Sequence, residues 1–183
     1  MTAILGAVLA GGKSSRFGQD KALVEAFGKP LIEYSIEALM QVTPDIVICG
    51  RQYPGCICLA DRPEPGMGPL GGVNAALHHA ARHSYAWVLS VACDTPALPL
   101  DLLRDLAGRQ RPSFVPGHPL MGLWPASAAD HLDTWLAETS RHAVRGWAKA
   151  IGADPVGDDI EIANFNYADD FDSWVKAVRP PER

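Results

Sequence analysis

Short apolar segments alternate with helical patterns along the first half of the chain. A short, continuously apolar segment indicates a strand that is buried on both faces, as in a parallel sheet covered by helices. Residues 3–10, 45–49, 56–60 and 85–92 have this pattern. Helices are predicted from Pro30 through Leu39, over residues 71–83, and through Leu102 and Leu106. This alternation predicts an α/β fold with a mostly parallel sheet and helices on both faces.

The second half of the chain has a less regular pattern. Strands are predicted at residues 119–124 and 160–164, and helices at residues 126–138, 141–151 and 169–178. The sequence has no internal repeat and no linker, and its 183 residues lie within the usual length of one domain. We therefore expect a single three-layer α/β/α domain, residues 1–183, with a mixed sheet.

The charge distribution favours a small anionic ligand. The net charge is −5, which argues against a nucleic-acid binder that neutralises phosphates along a basic face. Residues 1–30 nevertheless carry four basic and two acidic side chains, a net charge of +2. A local basic site on an acidic protein suits a small phosphorylated molecule better than a polyanion.

The apolar segments and the cysteines indicate the compartment. No apolar segment approaches the ~20 residues that span a bilayer, so we expect no membrane contact and a cytoplasmic location. Cys49, Cys56, Cys58 and Cys93 lie in otherwise apolar segments and are predicted to be buried, reduced thiols. A metal site at Cys56 and Cys58 is the alternative, although a second pair at zinc-site spacing is absent from the sequence.

The first predicted strand runs into a loop with glycines, hydroxyls and cations, residues 10–18. Glycine lets backbone N–H groups approach phosphate oxygens closely. The loop matches neither the Walker A pattern nor G-x-G-x-x-G, and an ordinary glycine turn is the alternative. Arg16 suits bidentate contact with phosphate, and Lys21 suits a point charge beside the reacting phosphate.

Two further loops follow predicted strands. Asp94 comes after residues 85–92 and is a candidate Mg²⁺ ligand beside phosphates, or alternatively a cap of the next turn. Asp61 begins a loop that contains Gly68 and Gly72 and leads into a helix N-terminus. Its carboxylate could accept hydrogen bonds from a guanine edge or from a ribose hydroxyl, whereas a plain connector is the alternative.

Four ordered segments resemble one enzyme family. They are LAGGKSSRFGQDKAL from Leu9, DRPEPGMGPLGG from Asp61, CDTP from Cys93, and Asn164-Phe165-Asn166. They are similar to the molybdenum cofactor guanylyltransferases, a branch of the nucleotidyltransferases that activate sugars and cofactors. Residues 118–124 and 141–145 also resemble later segments of that family, so the similarity covers nearly the whole chain.

The resemblance implies a Rossmann-like nucleotide-binding N-terminal half and a Mg²⁺-dependent transfer of GMP. The nucleotide would be GTP, the acceptor the terminal phosphate of molybdopterin, and the products pyrophosphate and molybdopterin guanine dinucleotide. Other molybdenum cofactor biosynthesis proteins and molybdoenzyme apoproteins are possible partners. The implied GTP-binding residues are Leu9, Ala10, Gly11, Gly12, Lys21, Asp61, Gly68, Gly72 and Asp94. Arg16, Lys21 and Asp94 would be catalytic, Asp94 would hold Mg²⁺, and Asn164 and Asn166 would face molybdopterin.

The sequence departs from the family pattern at two places. Tyr167-Ala168 stands where relatives often have Thr-Pro, and Cys49-Gly50-Arg51 stands where relatives often have an Asn, so no base contact is carried over to that loop. A molybdopterin cytidylyltransferase, a sugar-phosphate nucleotidyltransferase and a non-catalytic nucleotide carrier are the alternatives. Gly11 favours the guanylyl branch, since the cytidylyl branch usually has Ala at this place.

Histidines and tryptophans outside these loops are interpreted mainly as structural. We interpret His78, His79 and His83 as surface or lightly packed residues. Core positions are predicted for Trp135, Trp147 and Trp174. Trp124 is the candidate for a pterin contact.

Overall fold

The chain's structure, a computed structural model, describes residues 3–12, 20–139, 142–157, 162 and 171. The strands are β1 Ile4–Leu9, β2 Glu25–Ala26, β3 Lys29–Pro30, β4 Ile46–Cys49, β5 Ile57–Leu59, β6 Trp87–Ala92, β7 Ser113–Val115, β8 His118–Pro125 and β9 Asp154–Pro155. The helices are α1 Leu31–Met40, α2 Pro69–Arg82, α3 Leu100–Gly108, α4 Ala129–Glu138 and α5 Val144–Ala150. Short 3₁₀ helices cover Lys21–Leu23 and Ala126–Ala128.

A mixed sheet forms the centre of the described part of the chain. Its order is β5-β4-β1-β6-β8-β7-β9. The strands β5, β4, β1 and β6 run parallel, β8 pairs antiparallel with both β6 and β7, and β9 is parallel to β7. The predicted α/β fold with a mostly parallel sheet is confirmed.

Helices cover both faces of this sheet. Side chains alternate along β1, so that Leu5, Ala7 and Leu9 pack with α2, α4 and α5. Val8 and Ala10 face the other way and pack with α1 and α3. These two clusters account for the continuously apolar pattern of β1, because each of its faces meets a helix layer.

The helix boundaries follow local chemistry. Pro69 is the first residue of α2, where a missing backbone N–H costs nothing, and Gly68 precedes it with a φ of +69°. The helix therefore begins two residues before the predicted 71–83 segment. Among the described residues, no helix has the length and apolar character that would let it cross a bilayer.

Several short strands were not predicted. β2 and β3 form a hairpin with two residues in each strand, closed by Phe27 and Gly28, both with positive φ. β7 and β9 add the sheet edge beyond β8. The predicted strand at 160–164 and helix at 169–178 fall largely outside the described residues, although Ile162 and Phe171 are described and buried.

Candidate active site

A cavity lies at the carboxyl-terminal edge of the parallel strands. The strands β1, β4 and β6 end there, at Leu9, Cys49 and Ala92. The predicted contact residues that line it are Leu9, Ala10, Gly11, Gly12, Lys21, Asp61, Gly68, Gly72 and Asp94. All of the predicted nucleotide-contact residues that the structure describes therefore lie in this one cavity. Arg16, Asn164 and Asn166 fall outside the described residues.

Other residues complete the wall of this cavity. They are Asp20, Ala22, Cys49, Pro69, Ala92, Cys93 and Leu120. Cys49 and Cys93 stand at the ends of predicted strands, which is the same pattern that marked Asp61 and Asp94. Leu120 had no comparable sequence pattern, because its place depends on the antiparallel pairing of β8 with β6.

Lys21 and Asp94 form an ion pair inside the cavity. Lys21 begins the 3₁₀ helix, and Asp94 follows β6 by two residues. The Lys21 Nζ donates to Asp94 Oδ2 at 3.3 Å, and the two side chains are 12% and 22% exposed. Water screens a pair with this burial less than it screens a surface pair. The fold thus holds one cation and one carboxylate together on the wall of the cavity.

The loops after β1 and β4 are packed backbone to backbone. Ala10 N–H donates to the carbonyl of Cys49, and Gly50 N–H donates to that of Leu59. A Cβ atom at Gly50 would lie 2.7 Å from the amide nitrogen of Gly11, and Gly50 also has a φ of +85°. Because neither position carries a side chain, the two loops can approach each other at close range.

Asp61 lies on the wall formed by the loop after β5. Burial raises the pKa of its carboxyl group, and a hydrogen bond from the Gly66 backbone partly offsets that effect. Arg62 N–H donates to the Gly71 carbonyl at 3.1 Å, which joins this loop to the first turn of α2. A half-buried carboxylate with this support presents hydrogen-bond acceptors to the cavity.

The thiols at the cavity are not nucleophiles. Burial raises the pKa values of Cys49 and Cys93 to about 12, so both stay protonated at neutral pH. All four cysteines are free, as predicted, but only Cys49 is buried and the other three are half-buried. Covalent thiol catalysis therefore does not fit this site.

A second cavity adjoins the first beyond Asp94. Both cavities are lined by Ala92, Asp94 and Leu120, and the second also contains Thr95 and His118. Burial lowers the pKa of His118, while the Asp94 carboxylate acts in the opposite direction. The net effect leaves the imidazole neutral at neutral pH.

The pterin-contact prediction for Trp124 is wrong. Trp124 is fully buried, and its Nε1–H donates to Ser90 Oγ at 2.8 Å inside the core. Trp147 is buried as predicted and Trp135 is half-buried, whereas Trp174 falls outside the described residues. An apolar strand segment alone does not reveal which of its aromatic side chains can reach a cavity.

A separate polar cluster joins α2 to α4. Asp133 accepts hydrogen bonds from Asn74 Nδ2 at 2.6 Å and from the His78 ring at 2.8 Å, and Arg62 lies 3.7 Å away. His78, Asp130 and Asp133 have ligand atoms within 4.8 Å of one another. Among the described residues, this is the one group of three or more side chains spaced to hold a metal ion. It does not include Cys56 or Cys58, which the sequence offered as an alternative metal site. None of the three residues of this group lines the cavity.

The donor set of the cavity fits Mg²⁺. Asp94 uses one oxygen toward Lys21, and a carboxylate offers further lone pairs for a cation. Mg²⁺ commonly takes one or two carboxylates together with substrate phosphates and water. The other carboxylates of the wall are Asp20, which is engaged by Arg51, and Asp61, which lies on a different loop.

Comparisons with known proteins agree with this geometry. A family model of the MobA-like NTP transferase domain matches residues 6–151. The chain belongs to this family. It is therefore a nucleotidyltransferase, and the cavity at the strand ends is its candidate active site.

Two relatives are similar over nearly their whole length. A molybdenum cofactor guanylyltransferase of Rhodobacter capsulatus is 36% identical over 177 residues, which cover 91% of this chain and 92% of that protein. The protein of the same name from Yersinia pestis, strain Pestoides F, is 32% identical and covers 96% of this chain and 97% of its own.

A solved structure shares the fold. It is that of molybdopterin-guanine dinucleotide biosynthesis protein A from Archaeoglobus fulgidus, with a TM-score of 0.75. The identity is 24%, and the match covers 94% of this chain and 97% of the other. This likeness concerns the architecture, including the arrangement of helices on both faces of a mixed sheet.

Proposed function

We propose that the protein transfers GMP from GTP to the terminal phosphate of molybdopterin, with release of pyrophosphate and formation of molybdopterin guanine dinucleotide. One observation carries the proposal. The glycine loop, Asp61 and the Lys21–Asp94 pair lie around the same cavity, although they come from three distant parts of the sequence. The names of the relatives from Rhodobacter capsulatus and Yersinia pestis supply the nucleotide and the acceptor class.

GTP would bind with its base toward Asp61 and its phosphates toward the glycine loop. The half-buried Asp61 carboxylate accepts hydrogen bonds from the guanine edge or from the ribose. Backbone N–H groups of Gly11 and Gly12 lie at the end of β1, where phosphate oxygens can reach them. Gly68 and Gly72 border the same wall and leave room for the nucleoside.

Catalysis would depend on positioning and charge stabilisation. The acceptor is a phosphate monoester with a second pKa near 6, so it is mostly ionised at neutral pH and needs no general base. Lys21 would balance the charge that builds on the α-phosphate, and Arg16 would contact phosphate oxygens. Mg²⁺, held by Asp94 and the nucleotide phosphates, would supply further charge stabilisation there.

The acceptor would approach from the second cavity. Asp94 lies on the wall of both cavities, so a phosphate entering beside His118 would reach the nucleotide next to Asp94. Asn164 and Asn166 are proposed to face molybdopterin. The cytoplasmic location and contacts with other molybdenum cofactor biosynthesis proteins or molybdoenzyme apoproteins stay predictions.

Pyrophosphate release tests this function. The protein is incubated with molybdopterin, Mg²⁺ and GTP, and CTP and ATP serve as control nucleotides. Release that requires both GTP and molybdopterin supports the proposal. Release with CTP instead would make the protein a cytidylyltransferase. Tight GTP binding without any release would indicate a nucleotide carrier.

A further inference from the structure

Asp20 is an unexpected side chain for a phosphate-binding wall. It lines the same cavity as Lys21 and Asp94. A free carboxylate at that position would repel a triphosphate, and water screens only part of this repulsion because the Asp20 side chain is 43% exposed. The position therefore needs a compensating cation.

Arg51 supplies that cation. Its Nη1 donates to Asp20 Oδ1 at 3.0 Å, and its Nη2 donates to Asp20 Oδ2, so the pair is bidentate. The Arg51 side chain is only 17% exposed. The hydrogen bond from Arg51 lowers the pKa of Asp20, which keeps this carboxylate ionised and paired. Bidentate geometry of this kind is specific to arginine.

The pair also joins three parts of the cavity wall. Arg51 follows Gly50, which is packed against Gly11 in the loop after β1. Asp20 accepts a hydrogen bond from Ala22 N–H and so caps the 3₁₀ helix that begins with Lys21. Gly11 and Asp20 lie before and after the cationic segment 13–19. Both thus contact the loop after β4, Gly11 at Gly50 and Asp20 at Arg51.

We propose that Arg51 is a positioning residue for nucleotide binding. It neutralises Asp20, so that the wall does not repel the phosphates, and it holds the cap that places Lys21 beside Asp94. The inference rests on the proposed function only in that the cavity receives a nucleotide with several phosphates. The proposal gives a role in nucleotide binding to the loop after β4, for which the resemblance implied no base contact.

A charge-dependent binding series tests Arg51. Dissociation constants of GMP, GDP and GTP are measured with EDTA present, for the wild type, Arg51→Ala, Asp20→Asn and the double variant. The matched control is Arg104→Ala, which removes a similar arginine–aspartate pair on the exposed surface of α3. Circular dichroism and thermal unfolding establish that each variant is folded, and Arg51→Gln replaces Arg51→Ala if the latter does not fold.

Arg51→Ala should weaken GTP by about tenfold or more and GMP by much less, because the repulsion from unpaired Asp20 grows with ligand charge. Adding Asp20→Asn should restore most of the GTP affinity, since Asn keeps the cap without the charge. Arg104→Ala should behave as the wild type. Equal weakening of GMP and GTP, or no restoration by Asp20→Asn, would overturn the proposal.

A failure of the Arg51 proposal can be told apart from a failure of the proposed function. If the wild type prefers CTP, the guanylyltransferase assignment fails, and the same series with CMP, CDP and CTP still tests Arg51. If the wild type prefers GTP but the variants lack the charge dependence, the function stands and the role of Arg51 fails.

Discussion

Gly50→Ala should damage nucleotide binding through backbone packing alone. The new Cβ would lie 2.7 Å from the Gly11 nitrogen, a separation that real Cβ atoms do not adopt. Gly50 also has a φ of +85°, which disfavours any L side chain. The loop after β4 must therefore move away from the loop after β1, and the cavity wall opens.

Gly55→Ala is the matched control. Gly55 has a φ of +75° but has no atom within 4 Å of the place where its Cβ would be. The left-handed conformation alone should cost about 1–2 kcal/mol in the free energy of unfolding. Gly50→Ala should cost about 1–3 kcal/mol more, which is the usual range for overpacking a close contact.

Thermal unfolding and a GTP titration measure the two effects. In a chain of this size, 1 kcal/mol lowers the unfolding midpoint by about 2–4 °C, so the two variants are resolvable. Gly55→Ala should bind GTP as the wild type does, and Gly50→Ala should bind at least about tenfold more weakly, a loss of about 1.4 kcal/mol. Equal stability and equal GTP affinity of the two variants would refute the close packing of the loops.

Three further predictions concern other residues. In a steady-state pyrophosphate assay, Asp94→Ala and Lys21→Ala should each lower turnover by about 100-fold, which is the usual loss when one strong electrostatic group is removed. Near-wild-type rates would show that these side chains are not catalytic. Trp124→Phe should lower the free energy of unfolding by about 1–3 kcal/mol, because it loses the hydrogen bond to Ser90 and core volume, with GTP affinity unchanged. Burial raises the pKa of Asp133, but hydrogen bonds from Asn74 and His78 outweigh burial and hold this pKa below its usual range. The wild type should therefore be more stable than Asp133→Asn above pH ~4, and this advantage should decrease as the pH falls through the lowered pKa. A stability difference that does not change with pH in denaturant titrations would contradict this prediction.

The strand ends were predictable from sequence, and so were most of the residues that line the cavity. Apolar segments that stop at Gly11, Asp61 or Asp94 indicate both a buried strand and a ligand edge, because parallel strands end at the same side of the sheet. The ion pair between Lys21 and Asp94 was not predicted, because Lys21 lies in a 3₁₀ helix well beyond the end of β1.

Other features depend on pairing that no local pattern reveals. Strands β2 and β3 have two residues each, too few for a periodic pattern, and β9 is defined by its partner β7. Arg51 and Asp20 are 31 residues apart and meet because the β1 and β4 loops are packed together. Trp124 faces the core because of the β8 register, which the sequence of the strand alone does not specify.

A nucleotide titration tests the central claim most directly. The wild-type protein is titrated with GTP and with CTP, each with and without Mg²⁺. The Asp61 carboxylate, which can accept hydrogen bonds from a guanine edge, and the Asp94 carboxylate, which can hold Mg²⁺ beside phosphates, predict that GTP binds more tightly than CTP and that Mg²⁺ strengthens GTP binding. Equal or tighter binding of CTP, or GTP affinity independent of Mg²⁺, would contradict a guanylyltransferase site built around Asp61 and Asp94.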